Sequence, residues 1–405
     1  MTATITAAPP DIPSKWDIIP IHTSDVASYL RCRRYWNWSS PARNNLRTRA
    51  DVSGINPNLW FGTGIHFALE KFYHPLLKRD PVETWQTWFH WQWEGGKVTE
   101  EELESTYDNH PHPTADGMFH VRGLRDILPQ YDEDEFMNYR ELGTNMMTFY
   151  KMYAEDVDDF TVVATESVYS VSLGFTAVDR RQDSPNYGKV LEVHARGKRD
   201  TIGYRERTDS FFVMDHKTAG IIGEDYFDKL DTDPQVSNYI CFSALEAREH
   251  DKPWKNINEC LYQALRKVAP NPPSMLKSGL PSLNRTEEST TAQMFSEFIT
   301  SNNLEVWYET NEKAQSYYNW LVKIGYDNFI QRRTTFRSPK FLENTYKNVQ
   351  AIAQEMLADD LVLYPRFTNE KACTKCAFRG PCLAVEDGAD VEFILDNNYE
   401  ENRGR

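Results

Sequence analysis

Nowhere in the 405 residues does an apolar run approach the ~18 residues that cross a bilayer, so no membrane-spanning helix is expected. The opening residues, MTATITAAPPDIPSKW, lack a basic segment followed by an apolar one. They do not read as a secretory signal, and the cytoplasm is the expected compartment. No GxxxxGK[ST] motif occurs; Gly95-Gly96-Lys97-Val98 does not fit it, which argues against a P-loop ATPase in this chain. No segment repeats. Cysteine is scarce, six residues in all, and in a reducing compartment paired disulfides are not expected. Basic residues are outnumbered, 45 Lys and Arg against 60 Asp and Glu, for a formal net charge of −15. That balance argues against a protein that coats nucleic acid.

The charge is unevenly spread. Acid gathers at Glu100–Glu104, Asp132–Glu135 and Asp156–Asp159, and from Glu386 onward, whereas Arg31 to Arg49 holds six arginines and no acid. Arg332-Arg333-Thr334-Thr335-Phe336-Arg337 forms a second basic stretch. An acidic shell with local basic grooves suits an enzyme that handles DNA transiently. A chain of this length can bury a sizeable core and form two or three lobes.

The most informative stretch is Leu191 to Thr218, LEVHARGKRDTIGYRERTDSFFVMDHKT. Glu192, His194 and Arg196 alternate with Leu191, Val193 and Ala195, the period of a strand. Arg205 to Asp209 reads as a turn, and Phe211-Phe212-Val213-Met214 as a second strand covered on both faces. A hairpin centred between Arg207 and Thr208 sets Asp200 opposite Asp215, with Lys217 on the same face as Asp215. Facing carboxylates repel unless a cation lies between them. A divalent metal with Lys217 beside it makes a site for phosphodiester hydrolysis.

Cys373-Thr374-Lys375-Cys376 gives a CxxC, with Cys382 six positions further on. Three thiolates leave a tetrahedral site or cluster one ligand short, and Cys32 is the remaining candidate. The spacing leaves zinc and an iron–sulfur cluster open. Cys241 and Cys260, in apolar contexts, read as small core residues.

Elsewhere, Gly62 and Gly64 precede a helix carrying His66 and Glu70 one turn apart, and a tryptophan-rich helix (Trp85, Trp88, Trp91, Trp93) reads as core packing rather than a base-stacking surface. Residues 98–128 read as an irregular acidic insertion and 134–156 as a long helix, with Glu166 in an alternating stretch over 160–177 that reads as a strand pair. Asp233-Pro234 opens a helix, and 256–267 is a strand with Lys267 at its end as a candidate phosphate contact. Two helices are expected over about 304–332 and 338–358.

Together these pieces resemble the RecB-like branch of the PD-(D/E)XK nuclease superfamily. Within it, the chain looks like exonucleases with a cysteine-held iron–sulfur staple, such as the CRISPR-associated Cas-four family, the AddB nuclease domain and their phage relatives. The resemblance runs from Ser24 to Cys382. It rests on Tyr29-Leu30-x-Cys32-x-Arg34-Tyr35, Gly62-Thr63-Gly64-Ile65-His66, Gly197-x-x-Asp200, Asp215-His216-Lys217, Gln235-x-x-x-Tyr239 and the three late cysteines, in the family's order.

The resemblance implies a restriction-endonuclease-like α/β core, a mixed central sheet flanked by helices, with a helical lobe closed by a four-cysteine cluster. Its expected divisions are a tail over 1–23, a mainly helical N-terminal lobe over 24–157 and a nuclease core over 158–268. A loop insertion over 269–300, a helical C-terminal lobe over 301–385 and an acidic tail over 386–405 complete them. It also implies Mg²⁺ or Mn²⁺ held by Asp200, Asp215, His66 and the main-chain carbonyl of His216, whose side chain is then a bystander. Lys217 would orient the attacking water, and Gln235 and Tyr239 would position the metal site or the DNA backbone. Glu166 and Lys267 are accessory candidates. Cys32, Cys373, Cys376 and Cys382 would hold a 4Fe-4S cluster. The expected partner is DNA, as single strand or duplex end, with a helicase or recombination protein. The setting is recombination, repair or replication in a bacterial cell, phage-encoded or not. Two other classes fit less of this pattern: a catalytically silent nuclease fold serving as a scaffold, and a zinc-stapled DNA-binding protein.

Overall fold

Four of the main helices begin with the same two-residue device, a short polar cap followed by proline. In each, the cap side chain accepts a hydrogen bond from an orphan N–H of the first turn, and proline occupies a position where no N–H is needed. Asn56-Pro57, Asp80-Pro81, Asp233-Pro234 and Ser338-Pro339 are the four pairs. The computed structural model described here covers residues 13–49, 56–103, 112–127, 133–181, 184–285, 289–358, 361 and 370–401.

Its centre is a six-stranded mixed sheet formed by β1 (Ile18–Ile21), β2 (Thr161–Val178), β3 (Val190–Arg205), β4 (Ser210–Ala219), β5 (Glu259–Arg266) and β6 (Ile330–Phe336). β3 organises it. One edge of β3 pairs antiparallel with β2; the other pairs with β4 over Thr201–Arg205 and in parallel with β1 over Glu192–Ala195. β4 runs parallel to β5, and β5 antiparallel to β6.

Helices cover both faces. On one lie α3 (Pro57–Tyr73), α4 (Pro81–Trp93) and α5 (Glu133–Val157), whose Trp60, Phe61, Trp85, Trp88, Phe136 and Tyr150 pack with Phe212 and Met214 of β4. On the other, α6 (Pro234–Glu249) and α7 (Pro339–Leu357) meet Tyr169, Val171, Val193 and Val213 through Tyr239, Phe242 and Val349. Phe212, Val213 and Met214 are all fully buried, as a doubly covered strand requires. Trp85, Trp88 and Trp93 are core residues too, and the half-buried Trp91 packs against the same cluster, so these tryptophans serve core packing. Two short helices, α1 (Thr23–Arg31) and α2 (Arg33–Ser39), precede the layers, and α8 (Arg379–Asp387) and α9 (Val391–Asn398) follow them.

Several expectations change. Ile18–Ile21 is no tail but a strand of the central sheet. The expected acidic tail contains α9 and a strand, Tyr399–Glu401, paired with Leu46–Thr48. The described part of 98–128 holds a small antiparallel sheet of Gly95–Val98, His112–Pro113 and Phe119–Arg122 and two short helices, Glu100–Leu103 and Leu124–Ile127; residues 104–111 and 128 lie outside the description. The long helix expected to reach residue 332 is replaced by three helices between Ala292 and Ile324 and then by β6. Local charge hid that strand. Arg332 is turned inward, and Arg337 is 2% exposed, bonded to Ser237 and Thr335. Neither belongs to a basic groove.

Gly64 marks where α3 meets α4: an added Cβ would lie 2.3 Å from the Trp88 ring and 2.5 Å from Trp85. Alanine would gain roughly 1 kcal/mol of helix propensity but overpack two buried indoles at greater cost. Gly64→Ala is therefore expected to lose about 1–3 kcal/mol net in urea unfolding. Equal or greater stability would show that the two helices approach less closely than described.

Candidate active site

The hairpin closes through a 3₁₀ turn, Glu206–Thr208, and a left-handed Asp209, in the register expected from the sequence. Its last paired rung is Thr201 with Met214. Asp200 and Asp215 occupy the next rung, where β3 and β4 part and β4 continues only beside β5. Past this fork the His216 N–H has no strand partner on the β3 side, and Asp200 Oδ2 accepts it at 2.8 Å. In a strand, a residue's N–H and C=O face the same edge, so the His216 carbonyl also faces the fork. The ring of His216 turns away into the α3 and α5 side, where it stacks on Tyr73.

α3 is brought to this fork by small residues. A Cβ on Gly62 would lie 3.1 Å from Thr218 Oγ1, so the helix runs close against the end of β4. One turn on, His66 Nδ1 is 3.6 Å from Asp200 Oδ2, and the imidazole also faces the His216 carbonyl. One further turn brings Glu70, whose charge is felt by both Asp200 and Glu166. Its spacing from His66 was visible in the sequence, but nothing there showed that this helix face meets the sheet.

Burial dominates the electrostatics. It pushes the Asp215 carboxyl up to about 6, against the pull of Lys217 and with a further push from Asp200. Burial raises Asp200 as well, against the pull of Lys217 and the His216 N–H. His66 is lowered to about 4, first by burial and then by the Lys217 charge, so it is neutral and free to donate a lone pair near pH 7. Burial alone would lower Lys217, yet Asp215 and Asp200 hold its ammonium above the ordinary lysine range. Lys217 is thus a fixed cation, its Nζ 2.8 Å from Asp215 Oδ1. Asp215 Oδ2 is buried and has no hydrogen-bond partner among the described residues. An orphan carboxylate oxygen costs about 1–3 kcal/mol or more, and a cation is what would satisfy it.

The other candidates fall at different distances from this centre. Gln235 Nε2 donates to Tyr239 Oη at 2.8 Å on α6, and burial plus the charges of Asp215 and Asp200 raise the Tyr239 hydroxyl above the ordinary range. Glu166 is bracketed by the rungs Thr165–Thr201 and Ser167–Arg199, which sets it across β3 from Asp200. Its φ of 46° is left-handed, rare for a non-glycine residue inside a strand. Burial, then Asp200, raises its carboxyl to about 7, against the ion pair with Lys198. Lys198, in the middle of Gly197-x-x-Asp200, was missed at the level of sequence. Lys267 is spent on structure: its Nζ donates to the Asn58 carbonyl at 2.9 Å and anchors the first turn of α3.

The four candidate cysteines come from opposite ends of the chain to one region. Cys32 links α1 to α2 and accepts the Tyr35 N–H at 3.5 Å. Burial raises the Cys376 thiol, and Cys32, Cys382 and Cys373 add to the rise. None is in a disulfide. Arg34, 3% exposed, donates to Cys382 Sγ at 3.2 Å and to Glu386 at 2.9 Å. Four thiols gathered in one region, with Cys376 and Cys382 against the aromatic wall of Trp38, Phe378 and Tyr399, have the donor chemistry of a zinc or iron–sulfur site. As the side chains stand, no group of three or more His, Cys, Asp or Glu among the described residues is arranged to hold a metal ion. At the fork, Lys217 and the His216 N–H occupy carboxylate oxygens where a cation would sit.

The family model for the PD-(D/E)XK nuclease superfamily matches residues 23–383, and the chain belongs to that superfamily. Membership indicates a nuclease and implies DNA as its substrate. The comparison with curated proteins finds no match. No helix among the described residues is long and apolar enough to cross a membrane.

The raised carboxyls give a stability test. Folded Asp215 binds its proton up to about pH 6, above the unfolded range, so its contribution is complete below the unfolded value and lost as pH rises through 6. Compared with an Asp215→Asn variant, which cancels the opposite contribution of the lowered His66, the metal-free protein is expected to lose melting temperature between about pH 4 and 7, and Mn²⁺ to restore it most at the upper end. Calorimetry with and without chelator checks this; a metal-independent profile would remove the fork as a cation site.

Proposed function

We propose that the protein is a metal-dependent DNA exonuclease of the RecB-like kind, acting at the fork between β3 and β4. The observation that carries this reading is the Asp215 carboxylate, with one oxygen on Lys217 and the other buried without a partner among the described residues, one strand away from Asp200. Asp200, Asp215, neutral His66 and the His216 carbonyl are the groups that would hold Mg²⁺ or Mn²⁺. A bound divalent ion supplies Lewis acidity to the scissile phosphate and lowers the pKa of the attacking water.

The chain's own residues do the rest. Lys217 keeps its proton, orients the attacking water from the side of Asp215 and offsets charge on the phosphate. Gln235 and Tyr239 line the α6 side as positioning groups for the DNA backbone. Glu166, protonated in part near pH 7, is an accessory acid beside Asp200. The substrate is single-stranded DNA or a duplex end, and a helicase or recombination protein as partner belongs to the same proposal.

End-labelled linear DNA should be degraded with Mg²⁺ or Mn²⁺ while covalently closed circles are spared. Asp215→Ala should reduce hydrolysis by at least about 10²–10³-fold, the scale of losing an activated metal. Unchanged hydrolysis in that variant would sink the site assignment, and cleavage of circles would replace exonuclease with endonuclease.

We assign Cys32, Cys373, Cys376 and Cys382 to a 4Fe-4S cluster that staples the chain's two ends. Protein purified without oxygen should be brown and contain iron and acid-labile sulfide. Cys373→Ala should lose both, with a loss of stability on the order of several kcal/mol by analogy with a disulfide closing a long loop. Zinc in place of iron would overturn the cluster's identity; a soluble, fully active Cys373→Ala protein without iron would overturn its structural role.

A further inference from the structure

Behind the fork, the His216 ring enters a polar network buried between the sheet and helices α3 and α5. His216 is 3% exposed and Gln263 of β5 is fully buried. The Gln263 amide nitrogen lies 2.8 Å from His216 Nδ1 and 2.7 Å from Tyr150 Oη, and its Oε1 accepts from Arg332. Arginine has no acceptor, so the amide oxygen must face Arg332 and both amide N–H groups are donated. His216 Nδ1 is therefore an acceptor, and the ring carries its proton on Nε2.

The same logic runs on through the network. Tyr150 accepts from Gln263 and so donates to Tyr73 Oη at 2.6 Å, which donates to Asp158 Oδ2 at 2.8 Å. Arg332 closes the ring as an ion pair, 2.7 Å from Asp158 Oδ1, though at an angle outside hydrogen-bond geometry. The His216 ring also stacks on Tyr73, with centroids 5.6 Å apart and planes 17° from parallel. Apart from His216 Nε2 and Asp158 Oδ1, which find no hydrogen-bond partner among the described residues, the polar groups of this network are paired, and such a network admits fewer geometries than an apolar side chain beside Phe212 and Met214 would.

What this geometry fixes is the peptide at the fork, since the N–H of the same residue holds Asp200 at 2.8 Å and its carbonyl faces the same edge. We propose that the His216 side chain, held by Gln263 and the Tyr150–Tyr73–Asp158–Arg332 ring, is a positioning residue for the metal-binding fork. This rests on the reading of that fork as a divalent-cation site. The network sets the ring, the ring sets the peptide plane, and the plane sets where Asp200 and the His216 carbonyl meet a cation.

Two variants and two readouts test it. Gln263→Met keeps volume and removes the side-chain hydrogen bonds of a residue whose side chain reaches the fork through the His216 ring, while its backbone stays in the ladder beside β4. His216→Asn keeps an acceptor near Nδ1, and His216→Leu does not. Mn²⁺ binding is followed by electron paramagnetic resonance, and the Mn²⁺ needed for half-maximal hydrolysis of linear DNA is measured alongside melting temperature. Gln263→Met and His216→Leu should weaken Mn²⁺ binding about 10-fold or more, as loss of a group orienting a ligand does, with His216→Asn recovering most of it. Rates at saturating Mn²⁺ should fall less than affinity. Lower melting temperature with unchanged Mn²⁺ binding would overturn the proposal. Should neither variant fold, Tyr150→Phe decides, by a smaller loss of Mn²⁺ affinity or none. Wild-type protein that binds no Mn²⁺ would instead defeat the reading of the fork itself.

Discussion

The separation of two strands is the constraint on which the site depends. While β3 and β4 stay paired, their backbone groups satisfy each other and their side chains are spaced as in any ladder. At Asp200 and Asp215 the ladder stops, because β3 turns to β1 while β4 continues beside β5. An N–H and a carbonyl are then released at His216, between two carboxylates and under the His66 end of α3. Concentrated polarity of this sort is costly inside a protein. The raised Asp215 and Asp200 carboxyls and the lowered His66 imidazole are that cost expressed as proton affinity.

The stability of the surroundings makes such an arrangement tolerable. Below the fork, the interlocked tryptophans of α3 and α4 form a rigid aromatic block against Phe212 and Met214. Above it, α6 packs Tyr239 against the sheet and pairs its Glu246 with the buried Arg199 of β3. The rigid layers hold the carboxylates in an environment they would otherwise relax away from.

The parts of this legible in the sequence were those set by local rules. The hairpin register followed from a period of two and a short polar turn, and the start of α6 from Asp233 and Pro234. The core role of the tryptophan helix followed from composition. What stayed hidden required partners far away in the chain. β1 forms only by lying beside β3, and β6 carries Arg332 into a buried network that no window of sequence displays. Glu70 and Lys198 join the site because α3 and a strained Glu166 turn toward the sheet, a matter of packing rather than spacing. Gln263 sits in an apolar strand, ECLYQALR, where alternation alone makes it look like an oddity.

The seam between the chain's two ends carries two fasteners of unlike chemistry. The cysteines form one, under the cluster assignment; Arg34, gripping Cys382 and Glu386 from a buried position, forms the other. A seam of that design loosens by stages. Oxygen would attack the sulfur fastener and leave the guanidinium in place, while high salt would weaken the partly exposed Arg34–Glu386 contact and leave the sulfurs alone.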